Sequence, residues 1–240
     1  MLKNFQRISA FLCISWVSIL SAQKGTLSIE YSYGSSIPLG DFREANSQNY
    51  SSGYAKTGFS SQAGLKYQIN EGGFSVVLST QTQAHNFDVA AYDREITLLD
   101  PTLNWSIVAE IYSMSAFLAG LQQDFKVSEK TKVGVIAQLG LGLAKDPMMS
   151  IMELNSGYWS VSTNNYASAV AFKFGGQAKI NFAKNFYATV SANLMAADFD
   201  FKQTEAFYSN GDYETYSYSK DFNTFNVQLG LAADLYKHHN

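Results

Sequence analysis

Cysteine is almost absent from this 240-residue chain: the single one, Cys13, lies in an apolar run near the N-terminus. Bulky Leu12 directly before it is unlike a lipoprotein processing site. Without that segment no thiol remains, which excludes a cysteine nucleophile, a thiolate metal site and a disulfide scaffold. Histidine is nearly as scarce, and two of the 3 present, His238 and His239, are adjacent at the terminus, where a solvated tail is expected and not a metal site. No stretch beyond residue 24 approaches the ~18 unbroken apolar residues of a transmembrane helix. Charged residues make up only 15% of the chain. Without residues 1 to 23 the balance is 15 bases against 20 acids, a formal charge of −5, and nothing in it suggests a nucleic-acid partner.

What the chain does have is aromatic residues, 15% of the total, together with 17 glycines, a mixture that suggests β structure in one domain. Ahead of it, Lys3 and Arg7 precede an apolar run from Ile8 to Leu20 that ends in Ser21, Ala22 and Gln23. The run is short for a bilayer span and has the three parts of a secretory signal, so residues 1–23 are expected to be a cleaved signal peptide and 24–240 the mature domain.

Beyond residue 24 the dominant signal is alternation with a period of two. Leu27, Ile29, Tyr31 and Tyr33 interleave with Ser28, Glu30, Ser32 and Gly34, which gives one apolar and one polar or small face. The pattern recurs over 59–69 and 74–81, joined by the hairpin turn Asn70–Gly73. It returns around 108–125, weak at first and firm by Phe117, and again over 132–143, 170–182, 186–194 and 225–235. These are eight strands. Their connections alternate in length: long at 35–57, 84–107, 145–165 and 199–221, short at 70–73, 126–131 and 184–185. That asymmetry predicts an all-β fold, an eight-stranded antiparallel up-and-down transmembrane β-barrel with short periplasmic turns and long external loops.

A soluble antiparallel barrel or sandwich would also alternate. Three features favour the membrane form. Tyr67, Phe74, Phe125, Phe182, Phe186 and Tyr236 collect beside the short turns and the C-terminus, as an interfacial girdle does. The other face is rich in Gly, Ser and Gln, which suits the restricted inside of a small barrel. The leader places the chain on the export route.

An eight-stranded barrel is only just wide enough for its own side chains. Alternation places Glu30, Asp124 and Asp234 inside it with Lys66, Lys132, Lys173 and Lys179, and with Gln62, Gln81, Gln122, Gln138, Gln177, Asn193 and Gln228 between them. Charges removed from water need partners, so a closed hydrogen-bonded network is expected, with a narrow polar conduit as the alternative.

From Gly34 to Phe59 the chain resembles the outer-membrane β-barrel domain family of Gram-negative bacteria. The first strand leads into Ser36, Ile37, Pro38, Leu39, Gly40, Asp41 and Phe42, and the segment from Gly53 to Phe59 is similar to that family too. The strand pattern extends the resemblance over the whole mature chain. It implies an outer-membrane location in contact with lipid, and members that range from structural barrels to adhesion and surface-protection proteins. One departure is the ending Lys237, His238, His239, Asn240, which displaces the terminal aromatic to Tyr236.

Catalytic chemistry has little to work with. His85 opens the second long connection, and a lipid-modifying hydrolase or acyltransferase would need it beside a serine such as Ser79 or Ser113 and a carboxylate such as Asp88 or Glu110. No spacing here matches such a motif, so His85 reads as a surface-loop histidine and no enzyme is expected. Gly140, Leu141 and Gly142 lie inside a strand and open no helix, so they are not a phosphate loop, and no cofactor or metal is expected. The segment 207–219, with Tyr208, Asp212, Tyr213, Tyr216 and Tyr218, could bind an external partner or sugar, or be an ordinary loop whose tyrosines pack on one another. The resulting expectation is a monomeric outer-membrane protein, structural or surface-interacting, whose long loops can contact an extracellular ligand or protein. The rival readings are a small-solute channel and a lipid-modifying enzyme.

Overall fold

The computed structural model describes residues 25–46, 49, 51–102, 104–163 and 165–237. The leader over 1–23, Cys13, His238 and His239 lie outside the described residues. Strands follow the alternating segments: β1 (Thr26–Pro38), β2 (Gly58–Gln68), β3 (Phe74–Asn86), β4 (Trp105–Ala109), β5 (Ile111–Lys126), β6 (Thr131–Asp146), β7 (Met149–Glu153), β8 (Trp159–Ser162), β9 (Asn165–Ala183), β10 (Phe186–Tyr208), β11 (Tyr213–Asp221) and β12 (Thr224–Lys237). Eight of them close a ring. Its order is β12, β1, β2, β3, β5, β6, β9, β10, and β10 pairs back onto β12, every contact antiparallel. Closure removes the free edges that an open sheet would present.

Register keeps like faces together. Tyr31 stands opposite Ala63 and Leu231, and Leu139 opposite Ala119 and Phe172. Ile29, Leu65, Leu78, Leu139, Val190 and Leu229 are exposed on the outside, while Ser32, Ser60, Gln81, Gln138 and Gln228 are buried inside. A soluble barrel would have the two faces reversed. Arg in place of Leu139 or Val190, both mid-strand and outward, should therefore lower stability in lipid vesicles by ~2 to 4 kcal/mol if it sits at the bilayer midplane. Urea unfolding of both variants checks this, and unchanged transitions would mean that these positions do not meet hydrocarbon.

Three tight turns join the ring at one end. In the first, the Asn70 side chain accepts from the Phe74 N–H (3.1 Å), and Gly73 takes φ 87 where a Cβ would strike the Asp124 carbonyl. The rings of Phe125, Phe182, Phe186 and Tyr236 are exposed around this turn end, with Phe182 and Phe186 6.5 Å apart.

At the opposite, loop end the strands outrun the expected connections. About 9 to 11 tilted residues cross a bilayer, whereas the 23 residues of β10 extend for about 76 Å. Two expectations are corrected here. The segments 145–165 and 199–221 are not plain loops: β4, β7, β8, upper β10 and β11 form a sheet that rises from the ring in the order β11, β10, β8, β7, β4. The connection over 84–107 contains helix α1 (Val89–Leu99), started by the Asp88 carboxylate, which accepts from the Ala91 N–H (3.1 Å). Among the described residues no helix is long and apolar enough to cross a membrane.

Candidate functional site

The lumen has two tiers of different chemistry. Toward the turn end it is polar. Lys66 on β2 donates to Asp124 on β5, Lys179 on β9 lies 3.1 Å from Glu30 on β1, and Gln177 also donates to Glu30. Asp234 accepts from Ser28 Oγ (2.7 Å) and Tyr187 Oη (2.9 Å). Lys173 finds the Gln62 carbonyl and, among the described residues, no carboxylate. Lys132 sits with Nζ 6.0 Å from the Tyr187 ring centroid and has no ion pair among the described residues. A cavity of about 110 Å³ bordered by Lys66, Lys132, Lys179, Asp124, Asp234 and Tyr187 remains at this end. Above it, Ser79 and Gln138, and Gln228 with Ser32 and Ser60, continue the bonding across the barrel.

Toward the loop end the lumen becomes apolar, and this tier was not anticipated. The first connection folds inward: Leu39 N–H donates to Asn223 O (2.8 Å), and a short 3-10 turn over Gly40–Phe42 drops the Phe42 ring fully out of solvent. Phe42 stacks on Phe222 at 4.4 Å and meets Tyr112 and His85 edge-on at 5.2 Å each, while Phe199 and Phe201 close the far side. Tyr112 Oη donates to Gly53 O (2.6 Å), fastening the returning half of the loop. Over this plug Lys220 Nζ is 3.0 Å from Asp146, which also accepts from Tyr218 Oη (2.5 Å). Burial first, and then the Asp146 carboxylate, push the Tyr218 hydroxyl far above its ordinary range, so it stays neutral and donates.

His85 is corrected from a surface-loop residue to a buried one. It continues the inward alternation of Gln81 and Gln83 on β3, with Nδ1 2.9 Å from Lys56 O and Nε2 3.1 Å from Ser36 Oγ. The carbonyl fixes the proton on Nδ1, so the Ser36 hydroxyl donates to Nε2. The carboxylate and serine candidates do not gather around it. Ser79 bonds Gln138, Asp88 pairs with Lys56, and Glu110 pairs with Lys145. Ser36 itself is fully buried, away from both lipid and solvent. Among the described residues no group of side chains is arranged to hold a metal.

The tyrosine-rich segment is a β-hairpin and not a loop. Tyr213, Tyr216 and Tyr218 lie on β11, Tyr216 and Tyr218 stack at 5.7 Å, Tyr208 ends β10, and Asp212 sits in the turn, where it accepts from Asn210 Nδ2 (2.6 Å). On the neighbouring hairpin Glu153 gathers the turn. Its pKa falls from 4.5 to about 2, chiefly through the Ser156 side chain and then the N–H groups of Asn155 and Ser156, and Asn104 N–H also points at it. A depressed carboxylate pKa stabilises above the unfolded value and is lost on acidification. The β7–β8 turn should therefore stay closed at pH 5 and open as pH falls through about 2. NMR titration of the Glu153 carboxyl checks this, and a midpoint near 4.5 would remove the carboxylate from its role.

The geometry defines a class: an eight-stranded outer-membrane-type β-barrel with a filled lumen and an added sheet at its loop end. No family model matches the sequence, and no curated protein matches it significantly. Among solved structures, a major outer membrane protein from Thermus thermophilus superposes over 87% of this chain and 98% of its own, with a TM-score of 0.52 at 9% identity. Neisserial surface protein A covers 89% of this chain and 98% of its own (TM-score 0.43, 8% identity). Ail, the attachment invasion locus protein of Yersinia pestis, covers 88% and 96% (0.39, 14%). At such identities the likeness concerns the fold alone, and the first of the three carries it.

Proposed function

We propose that this chain is a non-conducting integral outer-membrane protein that displays a β-sheet at the cell surface for contact with external molecules. The observation that carries this reading is the combination of a lumen occupied in both tiers and strands that run on into an exposed sheet. A barrel filled by its own side chains has no path for solute, and an ordered sheet above the band is more than loop closure requires. Short turns mark the periplasmic end of such barrels, so the sheet faces outward. Residues 1–23 serve as the cleaved leader that brings the chain there. The polar set Glu30, Lys66, Asp124, Lys132, Lys173, Lys179 and Asp234 acts as an internal brace.

Two measurements test this. Planar bilayers containing the protein should show no steady single-channel current, and Tyr213→Cys should react with a membrane-impermeant maleimide on intact cells. Stable conductance would replace this reading with the channel, and labelling only after lysis would reverse the orientation.

A further inference from the structure

The outward face of the rising sheet carries exposed apolar side chains on each of its strands, with a few small polar ones between them. One row of directly opposed residues crosses all five strands: Val108 on β4, Ser150 on β7, Val161 on β8, Phe207 on β10 and Tyr213 on β11. Neighbouring strands lie about 4.8 Å apart, so the row is about 19 Å long. Beside it, Met152 opposes Trp159 on the same face. Val108 is 65% and Tyr213 69% exposed, and Met152, Trp159 and Phe207 are exposed as well.

This face results from a break in alternation. Along β10 the even positions, such as Asp198 and Asp200, point out and Phe199 and Phe201 point in. At the bulge after Phe201, where Gln203 takes φ 58, the parity shifts, so that Thr204 and Ala206 turn in and Glu205 and Phe207 turn out. Without the bulge Phe207 would point toward the barrel axis. A polar belt of Asp198 and Asp200 thus separates the lipid-facing band from a second apolar surface above it.

The charge around that surface is net negative. The segments 39–57, 87–110, 145–164 and 198–223 hold fifteen carboxylates and six basic side chains, a formal charge of −9. A second copy of the chain would bring the same charge, and an anionic lipid surface would be repelled. We infer that the face formed by Val108, Met152, Trp159, Phe207 and Tyr213 docks a cationic amphipathic polypeptide, whose apolar side chains cover the row and whose Lys and Arg residues meet Glu205, Asp200 and Asp198. This rests on the sheet being displayed outside, as proposed above. Apolar contact supplies the affinity and the acidic surround selects the partner and speeds encounter.

The test uses the whole protein in zwitterionic nanodiscs and three synthetic helical peptides: Lys/Leu, Glu/Leu and Lys/Ser. The Lys/Leu peptide should bind above the level of empty nanodiscs, the other two should not, and affinity should fall at least tenfold between 50 and 500 mM NaCl. The pair Val108→Ser and Phe207→Ser should weaken binding at least tenfold, and Glu205→Lys should weaken it with the sheet intact. Circular dichroism and heat-modified gel mobility control for folding. Binding unchanged by the serine pair, or equal binding of the Glu/Leu peptide, would overturn the inference. So would self-association in sedimentation that the serine pair abolishes, because the occupant would then be a second copy. Surface labelling of Tyr213→Cys without Lys/Leu binding would sink this inference alone, whereas labelling only after lysis would sink the display on which it rests.

Discussion

Asp124→Ala should destabilise the barrel by ~3 to 5 kcal/mol, because it removes one partner of a buried ion pair and leaves the other charged. Lys66 and Asp124, on the two strands that flank β3, meet inside the lumen with side chains only 8% and 4% exposed. Among the described residues Lys66 has no second carboxylate in contact, since Glu30 is engaged by Lys179 and Gln177. The removal is felt again at Gln122, which donates to Asp124 Oδ1 (2.6 Å). Replacing both partners with Leu or Met should recover most of the loss, because two desolvated charges are then no longer held in a narrow lumen. Insertion should be unaffected, as the outward stripe is unchanged. Urea unfolding in lipid vesicles reads all three variants. If Asp124→Ala matches the parent, water reaches Lys66 and the brace is hydrated.

The lipid-facing band was legible in the sequence because two constraints coincide there: side chains alternate with period two, and each face has one uniform environment. On β6, for example, the apolar positions from Val133 to Leu143 keep one parity for the whole crossing. The inner charges followed from the same parity, although parity could not say that Asp234 would settle on hydroxyls or Lys173 on an amide. Above the band the environments exchange. Outside positions turn polar at Asp198 and Asp200 while inside ones become Ala197, Phe199 and Phe201, so a search for outward apolar residues reports the end of a strand that in fact continues. The inverted pattern was itself a signal, since aromatics alternating with acids beyond the apolar band have to bury somewhere. The bulge at Gln203 carries no such mark, because glutamine is not a residue type that signals a positive φ. His85 was misplaced by the same truncation of β3.

Phe42→Ala should cost ~3 to 5 kcal/mol, the range for deleting a buried aromatic ring, and should leave the barrel without conductance. The ring is wholly buried and touches Phe222, Tyr112 and His85, which sit on ring strands or the segments between them, so its removal leaves a cavity that rigid strands cannot close. The loop is held elsewhere by Leu39 N–H on Asn223 O and by Tyr112 Oη on Gly53 O, which limits collapse into the gap. Phe42→Leu keeps part of the volume and should lose less. The two tiers are separate closures. With Phe42 gone, Lys66 and Asp124, Lys179 and Glu30, and Ser79 and Gln138 still cross the lumen nearer the turn end. Unfolding in vesicles and single-channel recording on the same variant separate the effects. A stable current from Phe42→Ala would show that the polar tier admits water and ions, so that the aromatic plug alone keeps the barrel shut.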